Sequence, residues 1–293
     1  MEIINKLPII LLLVFSLASC GTGGSGTVEA NYNVVPLPNE IEAAEGTAFV
    51  LSGSTQIVFP EGNEKMQRNA QFLAEYLELS TGIKTATTST APEQDAIILA
   101  TGLQNDNPEA YQISITEREI RIEGTSEAAV FHGIQTLRKS IPVGNYAQVS
   151  FSPAVINDAP RFGYRGAMLD VARHFQPTAF IKKYIDLLAL HQINTFHWHL
   201  TDDQGWRIEM DAYPKLTEMG SMRKETVIGR NTGEYDGIPH GGFYTKEELK
   251  EVVEYAEERY ITIIPEVDLP GHMLAALHAY PELGCTGGPY EVS

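Results

Sequence analysis

The chain has 293 residues, 43% of them hydrophobic and 20% charged, which is an ordinary composition for a globular protein and a length that suits two domains. Its 21 Lys and Arg face 38 Asp and Glu, and the resulting net charge of −17 repels phosphate backbones and argues against nucleic acid as a partner. The chain contains only two cysteines, which excludes a disulfide framework and a multi-cysteine metal site.

The first 19 residues (1–19) predict a lipoprotein signal peptide, because they contain an almost unbroken apolar run of suitable length. Residues 17–21, Leu-Ala-Ser-Cys-Gly, resemble a bacterial lipobox, in which Cys20 becomes the first mature residue and carries lipid. Residues 20–31 begin with a Gly-, Ser- and Thr-rich stretch and predict a flexible tether. We therefore expect an exported lipoprotein, in the bacterial periplasm or at the cell surface, that meets the membrane only through lipid at Cys20. An ordinary signal peptide cut near Ala18 is the alternative.

Residues 32–158 predict a small α+β domain. Short apolar stretches predict strands at residues 48–51, 96–100, 111–115 and 119–123. A helix predicted over 64–80 carries its apolar residues on one stripe and ends at Gly82, and a second helix begins behind Ser126. Strands with two one-sided helices form an α+β layer. Its lone helical histidine, His132, is interpreted as structural.

Residues 159–293 follow a break at Asn157 to Arg161 and change to a strand-helix-strand-helix-strand order. The strands are predicted at residues 167–172, 193–200 and 261–268, and the helices behind Pro177-Thr178 and behind a capping box that starts at Thr245. Each strand is a nearly continuous apolar run, which indicates parallel strands buried on both faces. The Gly-rich connection over 201–244 is far longer than usual, as functional loops often are. The pattern predicts an α/β fold with about three strand-helix units of a TIM barrel, preceded by the α+β domain.

Polar side chains follow each of the three predicted strands. They are Asp170, Arg173 and His174 after the first, His197, His199, Asp202 and Asp203 at the second, and Glu266, Asp268 and His272 at the third. Because the carboxyl ends of barrel strands meet at one mouth, where barrel enzymes carry out their chemistry, we expect a site there. Residues 196–207 are the densest part, with groups that are costly in a core and useful in a polyol-binding pocket.

Five segments are similar to the β-N-acetylhexosaminidases of glycoside hydrolase family 20. They are Tyr164 to Gly166, Leu169 to Phe175, Phe196 to Arg207, Gly241 to Thr245 and Pro265 to His272. Residues 33–153 resemble the accessory α+β domain of that family. The resemblance implies an exo-acting glycoside hydrolase that removes terminal GlcNAc or GalNAc from glycans, with retention at the anomeric carbon and the substrate's 2-acetamido oxygen as nucleophile. It implies no metal and no cofactor.

The resemblance also implies roles for single residues. Arg173 matches the arginine that hydrogen-bonds the hydroxyls at sugar carbons 3 and 4. Asp202 and His272 match a pair that orients the general acid, and Asp268 and Glu266 are expected to line the mouth. The family's adjacent Asp-Glu pair, which orients the acetamido group and supplies the acid, is not in this sequence. We therefore expect an N-terminal fragment without measurable activity on its own.

Two alternatives remain open at this stage. His197 and His199 lie on one face of a strand, and a His-X-His pair at a barrel mouth also holds zinc in metal-dependent hydrolases. The competing interpretation of the pair is core histidines whose partners are neighbouring strand ends. The second alternative is an anchored glycan-binding lipoprotein without catalysis, in which Arg173, Trp198 and Trp206 contact sugar.

Overall fold

The computed structural model describes residues 26–230 and 232–292. The predicted signal peptide, the predicted lipidation site Cys20 and the first part of the predicted tether lie outside the described residues. Within those two ranges, no helix combines the length and the apolar character that crossing a bilayer requires.

The first region, residues 26–158, contains two sheets and two helices. Its strands are β1 (Thr27–Glu29), β2 (Glu40–Ala43), β3 (Phe49–Leu51), β4 (Gln56–Val58), β5 (Ala86–Thr88), β6 (Ala96–Thr101), β7 (Tyr111–Ile115), β8 (Glu119–Gly124), β9 (Gln148–Phe151) and β10 (Ala154–Asp158). Its helices are α1 (Glu64–Thr81) and α2 (Glu127–Ser140). Seven strands form a mixed sheet in the order β2-β10-β7-β8-β6-β4-β5, and β1, β9 and β3 form a smaller sheet. Both helices pack on the larger sheet.

The predicted elements of the first region are present. Helix α1 starts behind Asn63, whose side chain accepts the Met66 N–H at 3.0 Å, and ends at Gly82, whose positive φ of 79° suits a residue without a side chain. The four predicted strands correspond to β3, β6, β7 and β8. The other strands were not predicted, because they are short and several pair with strands far along the chain, as Thr27 does with Gln148.

The second region, residues 159–292, is built on a three-stranded parallel sheet. Its strands are β11 (Gly166–Asp170), β12 (Thr195–His199), β13 (Thr201–Asp202), β14 (Gly205–Trp206), β15 (Met222–Arg223), β16 (His240–Gly241) and β17 (Thr262–Glu266). Its helices are α3 (Thr178–Leu190), α4 (Lys215–Glu218), α5 (Lys246–Glu257) and α6 (Leu274–Ala279), followed by a 3₁₀ turn at Pro281–Leu283. Strands β11, β12 and β17 pair in that order, and α3 and α5 pack against each other beside them.

The prediction that all three strands are buried on both faces is wrong for the outer two. The central strand β12 is enclosed, whereas Met168 on β11 is 53% exposed and Ile264 on β17 is 43% exposed. Among the described residues, β11 and β17 each pair on one side only. Apolar runs therefore predicted the parallel pairing correctly, but Met168, His197 and Ile264 lie in register on one face of the sheet, and this face is incompletely covered.

Charged and aromatic contacts join the two regions. The Arg165 guanidinium, just before β11, donates to both carboxylate oxygens of Glu109 at 2.8 and 2.7 Å. His132 Nε2 lies 2.9 Å from the same carboxylate, in agreement with its interpretation as a structural residue. The Phe131 and Tyr260 rings pack 5.4 Å apart between α2 and the end of α5. One apolar core runs through both regions.

Candidate active site at the ends of three parallel strands

The last residues of the three parallel strands lie side by side. Asp170 of β11 pairs in register with His199 of β12, which pairs with Glu266 of β17. Because parallel strands end at the same edge of a sheet, this register brings a carboxylate, an imidazole and a second carboxylate into one row. The predicted convergence of polar groups at strand ends is confirmed.

Arg173 is held by three side chains. Its Nη1 donates to Asp170 Oδ2 at 2.8 Å, its Nη2 lies 2.6 Å from Asp202 Oδ2, and its Nε donates to Gln204 Oε1 at 3.1 Å. Asp170 Oδ1 accepts the backbone N–H groups of Ala172 and Arg173, which fixes the turn after β11. The guanidinium is oriented by these contacts and still partly exposed, so that it retains a face for a ligand.

Asp202 is the buried centre of the cluster, with only 1% of its side chain exposed. It lies on β13, the first strand of a short hairpin with β14. Its Oδ1 accepts the Asp203 N–H at 2.7 Å and lies 3.1 Å from His272 Nδ1. Arg173, Asp202 and His272, distant along the chain, are thus brought together as predicted.

His272 is exposed and has a left-handed backbone, with a φ of 49°. Residues other than Gly, Asn and Asp adopt this backbone conformation at a cost of about 1–2 kcal/mol. Helix α6 begins two residues later, and the Leu274 N–H donates to Asp203 Oδ1 at 3.1 Å. The aspartate pair therefore holds both His272 and the start of the helix that follows it.

Glu266 receives both histidines of the His-X-His pair. Its Oε2 lies 2.5 Å from His197 Nε2 and 2.8 Å from His199 Nδ1. Hydrogen bonding from His199 lowers the pKa of the Glu266 carboxyl, although desolvation opposes this. Burial disfavours the charged form of His199, but its hydrogen bonds to Glu266 and Asp202 outweigh burial and raise the pKa of the imidazole.

Both histidines of the pair contact a neighbouring strand end, as expected for hydrogen-bonded core histidines, and the zinc alternative stays a hypothesis. His197 Nε2 and His199 Nδ1 both contact Glu266 Oε2. Trp198 lies buried on the other face of the strand. Asp268, predicted to line the mouth, is close to this carboxylate, and its N–H donates to Thr201 Oγ1 at 2.9 Å.

Arg207 also supports the site, and its role was not predicted from the sequence. Its side chain is fully buried and donates to five backbone carbonyls, those of Val171, Ala172, Gln204, Ser221 and Gly242. Burial lowers its pKa to about 10. The guanidinium ties the turn that carries Arg173 to the long loop, and the only signal in the sequence was its place at the end of the dense segment.

A large apolar groove lies apart from the cluster around Asp202. This groove, of about 910 Å³, is lined by Trp198, Leu200, Leu249, Ile263 and Val267, and by none of Arg173, Asp202 and His272. The groove lies between β17 and α5, on the face of the sheet that carries Trp198. This groove is therefore separate from the cluster, in which Asp202 is buried, Arg173 is partly exposed and His272 is exposed.

Comparisons with known proteins agree with these observations. Residues 31–159 match glycosyl hydrolase family 20, domain 2, and residues 162–292 match glycosyl hydrolase family 20, catalytic domain. The chain is 39% identical to a β-hexosaminidase of Porphyromonas gingivalis over 86% of its own length and 32% of that protein, and 38% identical to a β-hexosaminidase of Vibrio furnissii over 87% of its length and 40% of that protein. The chain thus spans well under half of these relatives.

A solved structure matches the same span. The N-acetyl-β-hexosaminidase of Streptomyces plicatus, in complex with thio-NAglucal, superposes with a TM-score of 0.78 at 32% identity, over 90% of this chain and 51% of that one. The two family matches together cover nearly all of the described residues, and they occur in the order expected for one polypeptide. The chain belongs to glycosyl hydrolase family 20.

Proposed function

We propose that the chain contributes the accessory domain and the first part of the catalytic barrel of an exo-acting β-N-acetylhexosaminidase, which removes terminal GlcNAc or GalNAc from glycans. Family membership and the names of its relatives support this reaction. In the proposed mechanism the substrate's 2-acetamido oxygen attacks the anomeric carbon, and a general acid donates its proton to the departing glycosidic oxygen.

The cluster of Arg173, Asp202 and His272 is the observation that carries the proposal. Arg173 is proposed to donate to the hydroxyls at sugar carbons 3 and 4, for which a fixed fork of N–H donors is well suited. Asp202, through its 3.1 Å contact with His272 Nδ1, is proposed to hold that imidazole so that its other nitrogen meets the general acid. Glu266 and Asp268 are proposed to border the sugar.

The same proposal accounts for the exposed sheet edges. Strands β11, β12 and β17 with helices α3 and α5 are proposed to be the first units of a TIM barrel, in which further strands would cover Met168 and Ile264. Residues 32–158 and 159–293 are the proposed domain limits. We further propose that the protein is exported and held at a membrane through lipid at Cys20, the only proposed membrane contact.

Sugar binding at Arg173 tests the proposal directly. Adding GlcNAc to ¹⁵N-labelled protein is expected to shift the Arg173 Nε–H resonance in a saturable way. Replacing Arg173 with Lys should weaken this binding at least tenfold, because a point charge does not reproduce the fork. Arg161, exposed in the same region, provides the matched control: its resonance should stay in place, and Arg161→Lys should bind like the unchanged protein. Equal shifts at both arginines would contradict the proposed sugar site.

Hydrolysis is expected to be absent from this chain alone. No adjacent Asp-Glu pair occurs in the sequence, so the proposed acid and the residue that orients the acetamido group are not supplied. The purified chain should release no more p-nitrophenol from p-nitrophenyl β-N-acetylglucosaminide than a preparation without it. Turnover above that level would show that another residue of this chain serves as the acid.

A further inference from the structure

The imidazole of His199 lies between two carboxylates. Its Nε2 is 2.9 Å from Asp202 Oδ2 and its Nδ1 is 2.8 Å from Glu266 Oε2, while only 5% of the side chain is exposed. Glu266 Oε2 is shared with His197 Nε2. A continuous line of contacts therefore runs from His197 through Glu266, His199 and Asp202 to His272.

This placement favours a protonated His199. An ionised carboxylate only accepts hydrogen bonds, so both ring nitrogens need a proton to satisfy both neighbours, and the ring is then an imidazolium. Arg173 Nη1 lies 3.2 Å from Nε2 and can only donate, so this contact opposes a proton on Nε2, whereas the contacts of Arg173 Nη2 and His199 Nε2 with the shared Asp202 Oδ2 favour one. The titratable and charged groups around the ring are Asp170 at the end of β11, Arg173 beyond it, His197 on β12, Asp202 on β13, Glu266 at the end of β17 and Asp268 beyond it. Negative groups outnumber positive ones there, which favours the protonated ring.

His199 also constrains the rotation of Asp202. Arg173 and His199 both occupy Oδ2, so the opposite oxygen, Oδ1, is turned toward His272 Nδ1. Asp202 is almost completely buried, and water therefore competes little for either oxygen. With His199 removed, Oδ2 would keep only the guanidinium of a partly exposed arginine.

We infer that His199 is a positioning residue: its imidazolium, held from behind by Glu266, fixes Asp202 Oδ2 and thereby aims Oδ1 at His272. This inference rests on the proposed function, in which Asp202 and His272 orient the general acid. Glu266 then acts through His199 as well as bordering the mouth, and the His-X-His pair has a role that requires no metal.

Ring protonation measured by ¹⁵N-histidine NMR on the full chain tests the inference without any catalysis. In the unchanged protein at neutral pH, His199 is expected to carry protons on both ring nitrogens and His272 to carry one on Nδ1. In Glu266→Gln, which keeps the side-chain size and removes the charge, the midpoint of His199 titration should fall by at least one pH unit. In His199→Gln, the Nδ1 proton of His272 should redistribute toward Nε2.

His191→Gln is the matched control, since His191 is exposed at the end of α3 and should alter neither signal. A neutral His199 in the unchanged protein, or a folded His199→Gln protein with an unaltered His272 tautomer, would overturn the inference. Where His199→Gln fails to fold, Glu266→Gln decides: an unshifted His199 titration overturns the inference and a lowered one supports it. Failure of GlcNAc to bind would count against the proposed function while leaving these ring signals as they are.

Discussion

The two regions of the chain bury different kinds of polar group. In residues 26–158 the buried polar side chains are uncharged or histidine, such as Thr55, Asn69 and Gln135. In residues 159–292 they include Asp202 and the arginines Arg207, Arg223 and Arg259. Burial of a charge costs stability unless its partners are well placed. The second region therefore buries charged groups both at the proposed site, as with Asp202 and Arg207, and away from it, as with Arg259, which pairs with Asp186.

The regions also differ in how completely they cover their apolar residues. Strands β7 and β8 alternate strictly between buried and partly buried residues, and α1 and α2 pack on the seven-stranded sheet. The outer strands β11 and β17 leave Met168 and Ile264 exposed. The first region thus covers its larger sheet mostly with its own helices, although its core continues into the second region through contacts such as that of Phe131 with Tyr260. We expect the first region to be more stable than the second, and single substitutions in each region test this difference.

Replacement of Arg207 with Met should have the largest effect. It would leave five buried carbonyls without their donor, and we expect a loss of about 3–5 kcal/mol, confined to the second region. Amide hydrogen exchange should show protection lost in β11, β12 and the long loop, while β6 to β8 keep theirs. Arg230→Met, at an exposed arginine of the same loop, is the control and should leave exchange unchanged. Equal loss of protection in both regions would show that they unfold as one unit.

Glu109→Gln tests how firmly the two regions are joined. Desolvation opposes ionisation of Glu109, but its hydrogen bonds with Arg165 and His132 lower its pKa to about 2. A pKa below the ordinary value stabilises the folded state above that ordinary value, and the stabilisation is lost as the pH falls toward 2. At neutral pH the loss on substitution should be on the order of 3 kcal/mol in urea unfolding.

The pH dependence of that difference is the sharper measurement. Between neutral pH and about pH 3, the gap in unfolding free energy between the unchanged protein and Glu109→Gln should shrink by about half. Glu61→Gln, at an exposed carboxylate of the first region, should show no such gap. A gap that stays constant over this range would mean that the ion pair with Arg165 does not stabilise the folded state.

The sequence predicted the meeting of Arg173, Asp202 and His272 because a simple rule governs it: parallel strands end at one edge. It predicted α1 and α5 for an equally local reason, since the end of α1 at Gly82 and the capping box at Thr245 each depend on neighbouring residues. The contact of Glu266 with two imidazoles depends on the register of β17 against β12. A shift of one residue would turn Glu266 to the other face, and no local pattern specifies that register.

Arg207 shows what a single sequence conceals. Its partners are backbone carbonyls, which every residue possesses, so no side-chain pattern marks them. They are contributed by the turn after β11 and by the long loop, whose path is known only from the structure. The exposure of β11 and β17 was not predicted for a related reason. An apolar run shows that its side chains favour burial, but it does not show which neighbouring element buries them.

Helix caps give the smallest expected effects and compare the regions on equal terms. Thr245 Oγ1 accepts the Glu248 N–H at 3.2 Å, and Glu248 returns a hydrogen bond to the Thr245 N–H, so Thr245→Ala should cost about 1 kcal/mol. Asn63 caps α1 and also donates to Glu127 Oε1 at 3.1 Å. Asn63→Ala should therefore cost about 0.5 kcal/mol more than Thr245→Ala in urea unfolding.

The comparison of the two caps is informative because of where Glu127 lies. It is the first residue of α2, so the Asn63 side chain links the starts of two helices, whereas the capping box at Thr245 serves α5 alone. Thr47→Ala, at an exposed threonine outside any helix, should change stability by less than about 0.5 kcal/mol. Equal losses of unfolding free energy at Asn63 and Thr245 would show that the link between α1 and α2 adds no stability. The expected stability of the first region would then come from its sheet core and not from the contact between its helices.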